Sequence, residues 1–528
     1  MSQSGGGYLE DLLTRLRATV SPRAAGSAAS HSRDASATAV LNPRSETIAA
    51  PKSAPAMAAA HDDSSGPAFW RQFQSEVTER WLGESALDGV LPSSPLNLKP
   101  SFFAARAQTP KFFPHEPDTL EQAHLGATEI ETLILKFLLN RGTCTGRDIA
   151  AQVRLSFKIV QEIVDGLRTD QMIAYKGSSM VNDYEYQLTP AGRDQARRLY
   201  EHSTYFGSAP VTLEDYVAAI GKQSLNHAQP RMADLQRAFH DLLIPDDMLC
   251  RLAQAIHHGR GLFLHGAPGN GKTSIAQRIT RAFGELLWIP RAIGIDGEII
   301  RLYDPCVHEE LPMPAAEAEA LKPHVDHRWI RIRRPTILVG GELTMDRLDI
   351  TRNTSTGTNE APLQMKSNCG TLVIDDFGRQ RISVEELLNR WIVPLDKGYD
   401  FLSMPSGKTI QVPFDQMLVF STNLQPRDLA DEAFLRRIPY KLDVSDPSEE
   451  DFRELMRRES LAIGVKHDPA AITELIERHY RPTQRAFRCS HALDLLLQVR
   501  TFCQVYELPL EMNARSFDAA TANYFAVL

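Results

Sequence analysis

Gly266, Gly271, Lys272 and Thr273 stand at the spacing G-x-x-x-x-G-K-[ST], with Ala267, Pro268, Gly269 and Asn270 between the glycines and Ser274 behind them. These residue types fit the binding of a phosphate chain. Glycines let main-chain N–H groups close on phosphate oxygens, a lysine at the start of the next helix reaches the terminal phosphates, and the neighbouring hydroxyl serves Mg²⁺. Further along, the apolar run Leu372-Val373-Ile374 ends in two acids, Asp375 and Asp376. The first is placed to hold Mg²⁺, directly or through water, and the second to orient an attacking water.

Such residues act only if strands and helices bring them together. Leu262, Phe263 and Leu264 form a β-type run feeding the glycine-rich turn, and SIAQRITRAFGELL continues behind it as a helix. LWIPRAIGIDGEIIRLYD reads as a second strand region, followed by a polar excursion from about Pro305 to Val325. In HRWIRIRRPTILVGGEL, alternation puts Trp329, Arg331 and Arg333 on one face and Ile330 and Ile332 on the other, which predicts a solvated basic edge, with a face that touches substrate or nucleic acid as the alternative. His308, His324 and His327 lack ligand spacing and read as surface residues. SVEELLNRWIVPLDKG is helical, FLSMPSGKTIQVPFD gives two strands around a Pro-Ser-Gly-Lys turn, and MLVFSTN is a buried strand ending in Asn423. Leu243, Ile244 and Pro245, ahead of the first strand, suit either an adenine pocket or ordinary core.

Upstream, Tyr8, Leu9, Leu12, Leu13 and Leu16 fall on one helical face, and residues 21–67 are rich in Ala, Ser and Pro without apolar periodicity. We read residues 1–66 as a disordered tether with a short amphipathic helix. Residues 67–125 are an extended linker region that packs on a neighbouring domain. Residues 126–206 read as three helices, a two-stranded wing and a trailing helix, and QLTPAGRDQA is similar to the wing-to-helix ending of winged helix-turn-helix domains. That resemblance implies a DNA-reading helix over Ser156–Gln171. The segment holds ten Lys/Arg against ten Asp/Glu, however, with Lys158 and Arg168 offset by Glu162, Asp165 and Asp170. Phosphate neutralisation supplies much of the affinity for DNA, so this balance favours protein contacts, with DNA as the alternative.

With both phosphate motifs placed, residues 240–528 resemble the AAA+ ATPase superfamily. The hairpin before the MLVFSTN strand is similar to that of the branch with MoxR-type ATPases, magnesium chelatases and enhancer-binding activators. The resemblance implies an α/β P-loop NTPase parallel sheet with a helical lid. It also implies ATP and Mg²⁺ as ligands, hydrolysis of ATP, a homo-oligomeric ring (a hexamer) and a remodelled protein partner. By the same resemblance Asn423 matches sensor 1, and LADEAFLRRIPYKLDV carries the arginine finger, for which Arg436 and Arg437 are the candidates. No GAFTGA loop precedes the Asp375 strand, so the enhancer-activator version lacks support. Two departures stand out. Asp376 occupies a position where most members have Glu, and Leu493 occupies the usual sensor-2 arginine position, leaving Arg488 or Arg485 to substitute.

Residues 207–250 read as a connector, 251–445 as the nucleotide-binding domain and 446–528 as the lid. The formal charge of −8 argues against a generally basic, nucleic-acid-coating protein. Six scattered cysteines without C-x-x-C spacing fit a reducing cytoplasm. No apolar run approaches the ~20 residues of a membrane span, and no signal-peptide core is seen.

Overall fold

The computed structural model describes residues 112–178, 183–259, 261–314, 324–429 and 432–526. The tether and most of the linker region expected over residues 1–111 lie outside the described residues.

The first described unit has helices α1 (Ala127–Arg141), α2 (Gly146–Val153), α3 (Phe157–Thr169) and α4 (Pro190–His202) around strands β1 (Thr143–Thr145), β2 (Ile173–Ser178) and β3 (Tyr184–Leu188). The strands form an antiparallel sheet in the order β1-β3-β2. The third strand, β1, was not expected from Thr143-Cys144-Thr145, because three residues show no period. Caps set the helix starts: Thr145 accepts from the Asp148 N–H, Ser156 from that of Ile159 and Thr189 from that of Gly192. Ile130, Ile134, Ile149, Val160, Val164 and Leu167 make the core.

The central sheet is parallel, in the order β10 (Thr336–Val339), β13 (Thr371–Ile374), β16 (Met417–Thr422), β5 (Leu262–His265), β17 (Tyr440–Asp443). Its three inner strands, β13, β16 and β5, are mainly apolar runs because both faces are covered. Leu262, Leu264, Val373 and Val419 enter one core with Ile275 and Ile279 of α8 (Lys272–Ile279) and Leu252 of α7 (Asp246–His258). Phe263, Leu372, Ile374 and Phe420 enter the opposite core with Trp391 of α9 (Val384–Lys397). This three-layer parallel sheet, with the glycine-rich loop after β5, is the P-loop NTPase fold predicted above. The lid is helical as expected: α10 (Glu449–Ile463), α11 (Pro469–Leu475), α12 (Cys489–Val505) and α13 (Ala514–Tyr524) close around Phe452, Tyr480, Leu495 and Phe517.

A second five-stranded sheet was not foreseen. It joins β7 (Ala292–Ile295) and β8 (Glu298–Arg301) to the short strands β11 (Thr351–Arg352) and β12 (Asn359–Glu360), and at the other edge to β4 (Val211–Thr212), in the order β11-β12-β8-β7-β4. Residues 207–250 are therefore more than a connector. They supply β4 and helix α5 (Leu213–Gln223), whose Tyr216 and Ile220 enter one core with Ile293, Ile300 and the hairpin of β14 (Tyr399–Ser403) and β15 (Thr409–Pro413). The Gln223 side chain exchanges hydrogen bonds with both the N–H and the carbonyl of Trp288 in β6 (Leu286–Pro290), at 2.8 and 2.9 Å. A two-residue strand and an amide that mimics one carry no periodic signal.

Two surface readings are corrected. The face of β9 (Trp329–Arg333) expected to be a solvated basic edge is largely covered. Trp329 is buried against Phe112, with ring centroids 5.0 Å apart, Arg331 is half-buried, and Arg333 alone of the three is exposed. The cover comes from residues 112–114, distant in sequence. His308 is buried, not a surface residue: its Nδ1 accepts from the Asp304 N–H and its Nε2 donates to the Lys366 carbonyl. Burial pushes its pKa below the usual histidine range, so the ring stays neutral.

Candidate nucleotide site

Because β5, β13 and β16 are parallel and in register (His265 opposite Thr422, Ile374 opposite Phe420), the residues after each strand emerge at one sheet edge. From β5 comes the loop Gly266–Gly271, from β13 come Asp375 and Asp376, and from β16 comes Asn423. At Gly266, φ is +135°, and a Cβ there would stand 2.5 Å from the Val444 carbonyl oxygen, so only glycine fits beside the strand β17 exit. Gly271, at φ +81°, makes the left-handed step into α8.

Lys272 is 7 % exposed, and its Nζ donates to the carbonyls of Gly266 and Ala267 at 3.0 and 2.9 Å and to Asn423 Oδ1 at 2.7 Å. Burial lowers its pKa, while Asp375 and Asp376 oppose that. Thr273 Oγ1 donates to Asp375 Oδ2 at 2.8 Å. Asn423 Nδ2 reaches Asp376 Oδ1 at 3.4 Å, a long contact. The four residues singled out by motif, Lys272, Thr273, Asp375 and Asp376, and Asn423, implied by the resemblance, thus meet in one connected group. Ser274 is half-buried on the same turn of α8, and Pro268 and Gly269 are exposed at the loop crest.

Asp376 sits at φ +48°, a left-handed conformation that costs a non-glycine residue on the order of 1–3 kcal/mol. The next residue holds it there. Phe377 is 1 % exposed, packs on Phe420 with centroids 4.8 Å apart, and donates its N–H to the Ser421 carbonyl. Burying that ring contributes about 1.5–3 kcal/mol, enough to keep the acid turned out of the strand.

Among the described residues no group of three or more His, Cys, Asp or Glu could hold a metal ion. Mg²⁺ at a phosphate site needs fewer protein ligands, because phosphate oxygens and water complete its octahedron. The hard oxygens of Thr273 and Asp375, already 2.8 Å apart, fit that role.

The lid reaches the loop. Ser490 N–H donates to the Gly269 carbonyl at 2.8 Å. Asn270 is buried, and its Nδ2 donates to Asp446 Oδ1 at 2.7 Å and to the Val444 carbonyl at 3.3 Å. Arg488, just before α12, donates to the same Asp446 oxygen. Of the two candidate substitutes, Arg488 therefore stands at the loop. Arg485 packs in the lid, its guanidinium 3.5 Å from the Phe525 ring centroid, and Leu493 points partly to solvent. Sequence reading missed Asp446, which has no motif around it; its place comes only from the β17 exit running beside the loop.

Arg436 and Arg437 are not brought to this group. They precede β17, whose Tyr440 lies opposite Leu262 at the start of β5, so they sit at the other end of the sheet. At ~3.3 Å per residue, about 13 Å of strand separates them from the loop. Arg436 is exposed, and Arg437 Nε donates to Asp396 at 2.9 Å. With His258, Asp396, Pro439 and Tyr440 they line a pocket of about 370 Å³. Ile244 packs partly buried against the core around α7.

Residues 448–523 match the family model described as Domain of unknown function (DUF8689), which covers the lid and no other part of the chain. No curated protein matches. Among solved structures, the Thermotoga maritima RuvB Holliday junction branch migration motor is similar at 15% identity and TM-score 0.32, over 54% of this chain and 70% of that one. NtrX from Brucella abortus is similar at 15% identity and TM-score 0.29, over 51% of this chain and 54% of that one. Likenesses this distant carry nothing about what the present chain does.

Proposed function

We propose that this chain is an Mg²⁺-dependent ATP hydrolase of AAA+ type that works as a homo-oligomeric ring, a hexamer, and remodels a protein partner. The observation that carries the reading is the convergence of Lys272, Thr273, Asp375, Asp376 and Asn423 at one sheet edge. In this reading Lys272 draws the β- and γ-phosphates, leaving its loop carbonyls to do so. Thr273 and Asp375 would hold Mg²⁺, which when bound would supply positive charge to the phosphate oxygens. Asp376 accepts from the attacking water and Asn423 fixes that water's place, so that its oxygen bonds the γ-phosphorus as the β–γ bridging bond breaks. Catalysis here is positioning and charge stabilisation. Arg488 touches the phosphate chain from the lid. Arg436 or Arg437 acts on the neighbouring subunit's nucleotide, and their position far from their own loop supports a role in trans. Residues 126–206 we read as a winged helix that engages protein.

Hydrolysis assays test this. Asp376→Asn should bind ATP but turn it over on the order of 10²-fold more slowly or worse; turnover equal to wild type would remove the catalytic assignment. Replacing Arg436 and Arg437 together by Ala should abolish hydrolysis, and mixing that variant with Lys272→Ala should restore part of it, since each supplies what the other lacks. A fully active monomer would remove the ring.

A further inference from the structure

Asp446 is an acid with two claims on it. One carboxylate oxygen accepts from Asn270 Nδ2 at 2.7 Å, tying it to the glycine-rich loop, and from Arg488, tying it to the N-cap of the lid helix α12. The same Asn270 Nδ2 also donates to the Val444 carbonyl. The lid is fixed to the loop at a second point, where the Ser490 N–H meets the Gly269 carbonyl. A Cβ on Gly269 would stand 2.6 Å from Ser490 Oγ, so loop and lid are in direct contact. Arg488 is 24% exposed in its side chain and Asp446 40%. The pair is open enough to exchange partners with a bound anion, and the Arg488 charge is already felt at Lys272.

We propose that Asp446 is a positioning residue that competes with the terminal phosphate for Arg488 and thereby sets how strongly the site prefers ATP to ADP. The inference rests on the nucleotide reading above. Without nucleotide, or with ADP, Arg488 stays on Asp446. With ATP, the γ-phosphate presents oxygens carrying more charge than one carboxylate, and the guanidinium moves to them, while Asp446 keeps the Asn270 amide and so keeps the loop in place. The Asp446 carboxylate therefore subtracts from ATP affinity and leaves ADP affinity alone, because only ATP needs the arginine released. Asn270 remains the anchor in both states, which separates holding the loop from reading the third phosphate.

The test is equilibrium binding of fluorescent ADP and of the non-hydrolysable β,γ-imido analogue of ATP to the full-length chain. Asp446→Asn keeps the shape and the acceptor for Asn270 but removes the charge. It should raise affinity for the ATP analogue about tenfold and leave ADP within about twofold. Arg488→Gln should lower affinity for the analogue and leave ADP unchanged, the double variant should behave as Arg488→Gln, and Asp446→Glu should return the wild-type ratio. A merely structural Asp446 would weaken both nucleotides alike and lower the melting temperature, which would overturn the inference. So would a gain for the ATP analogue that persists when Arg488 is absent. If Asp446→Asn does not fold, Asp446→Ser, which also removes the charge, carries the same expectation: tighter binding of the ATP analogue, ADP within about twofold, and no gain when Arg488 is also Gln. Wild type that binds neither nucleotide would overturn the nucleotide reading and this inference with it; binding lost in Lys272→Ala with no change in Asp446→Asn would overturn the inference alone.

Discussion

Lys272 and Arg168 each stand on a short helix, and each offers a positive charge that phosphate could use. Lys272 is buried, and its hydrogen bonds go to neutral oxygens: two loop carbonyls and the Asn423 amide. Arg168 is exposed on α3, pairs with Asp165 at 3.6 Å, donates to Tyr175 Oη at 2.8 Å and lies 5.0 Å from that ring's centroid. Neutral oxygens orient a cation without cancelling it, whereas a carboxylate and an aromatic face use the charge up locally. The difference separates a cation set up for an arriving anion from one that holds its own domain together.

The comparison breaks most sharply at Lys272. Lys272→Ala should lower ATP affinity by about 10²-fold or more, read by titration calorimetry, since it removes the cation that neutral oxygens hold ready for the phosphates. Retained binding would mean that the lysine's neutral surroundings are only a way of burying it. His491 gives an intermediate case, a titratable ring in the lid among Arg485, Arg488 and Asp494, hydrogen-bonded to Tyr480. Burial first, then the two arginines, push its pKa down to about 4 from 6.5. In the unfolded chain it titrates normally, so between about pH 6.5 and 4 the unfolded state binds the extra proton and stability falls as pH falls. Thermal unfolding should therefore drop more steeply over that interval in wild type than in His491→Gln; parallel curves would refute it. The smallest effect belongs to the helix α3. Lys158→Gln and Arg168→Gln should barely change DNA binding, and we expect no sequence-selective complex tighter than about micromolar at physiological salt. A nanomolar complex with a steep salt slope would show that the Arg168 charge is not used up locally and would promote a DNA-binding regulator.

How much was legible obeys the same physics. Residues that must converge on a ligand cannot drift in spacing, so the loop from Gly266 to Thr273 and the acids after β13 could be read from sequence, whereas the amide after β16 came from the family resemblance. Apolar runs covered on both faces are equally plain, which is why β5, β13 and β16 were legible, while the edge strand β17, with one buried residue, was not. What stayed hidden depends on partners far along the chain: β4 against β7, Gln223 against Trp288, the cover over Trp329, and the seat of Asp446 beside Asn270. His308 was misread because a histidine without ligand spacing looks the same whether solvated or sealed between the Asp304 N–H and the Lys366 carbonyl.

The way β4 and α5 are built into the second sheet decides where this protein can be divided. Arg328, 4% exposed, holds Asp326 with a two-pronged grip and also donates to the carbonyls of Ala123 and Pro210. A scission near residue 250, chosen to isolate the P-loop half, would strip β4 from the β7 edge and leave Ile293 and Ile300 without Tyr216 and Ile220. An uncovered strand edge above an open apolar core invites self-association. Because Ala123 and Phe112 are also part of this packing, the dissectible fragment begins ahead of Phe112, and pieces that begin after β4 should precipitate.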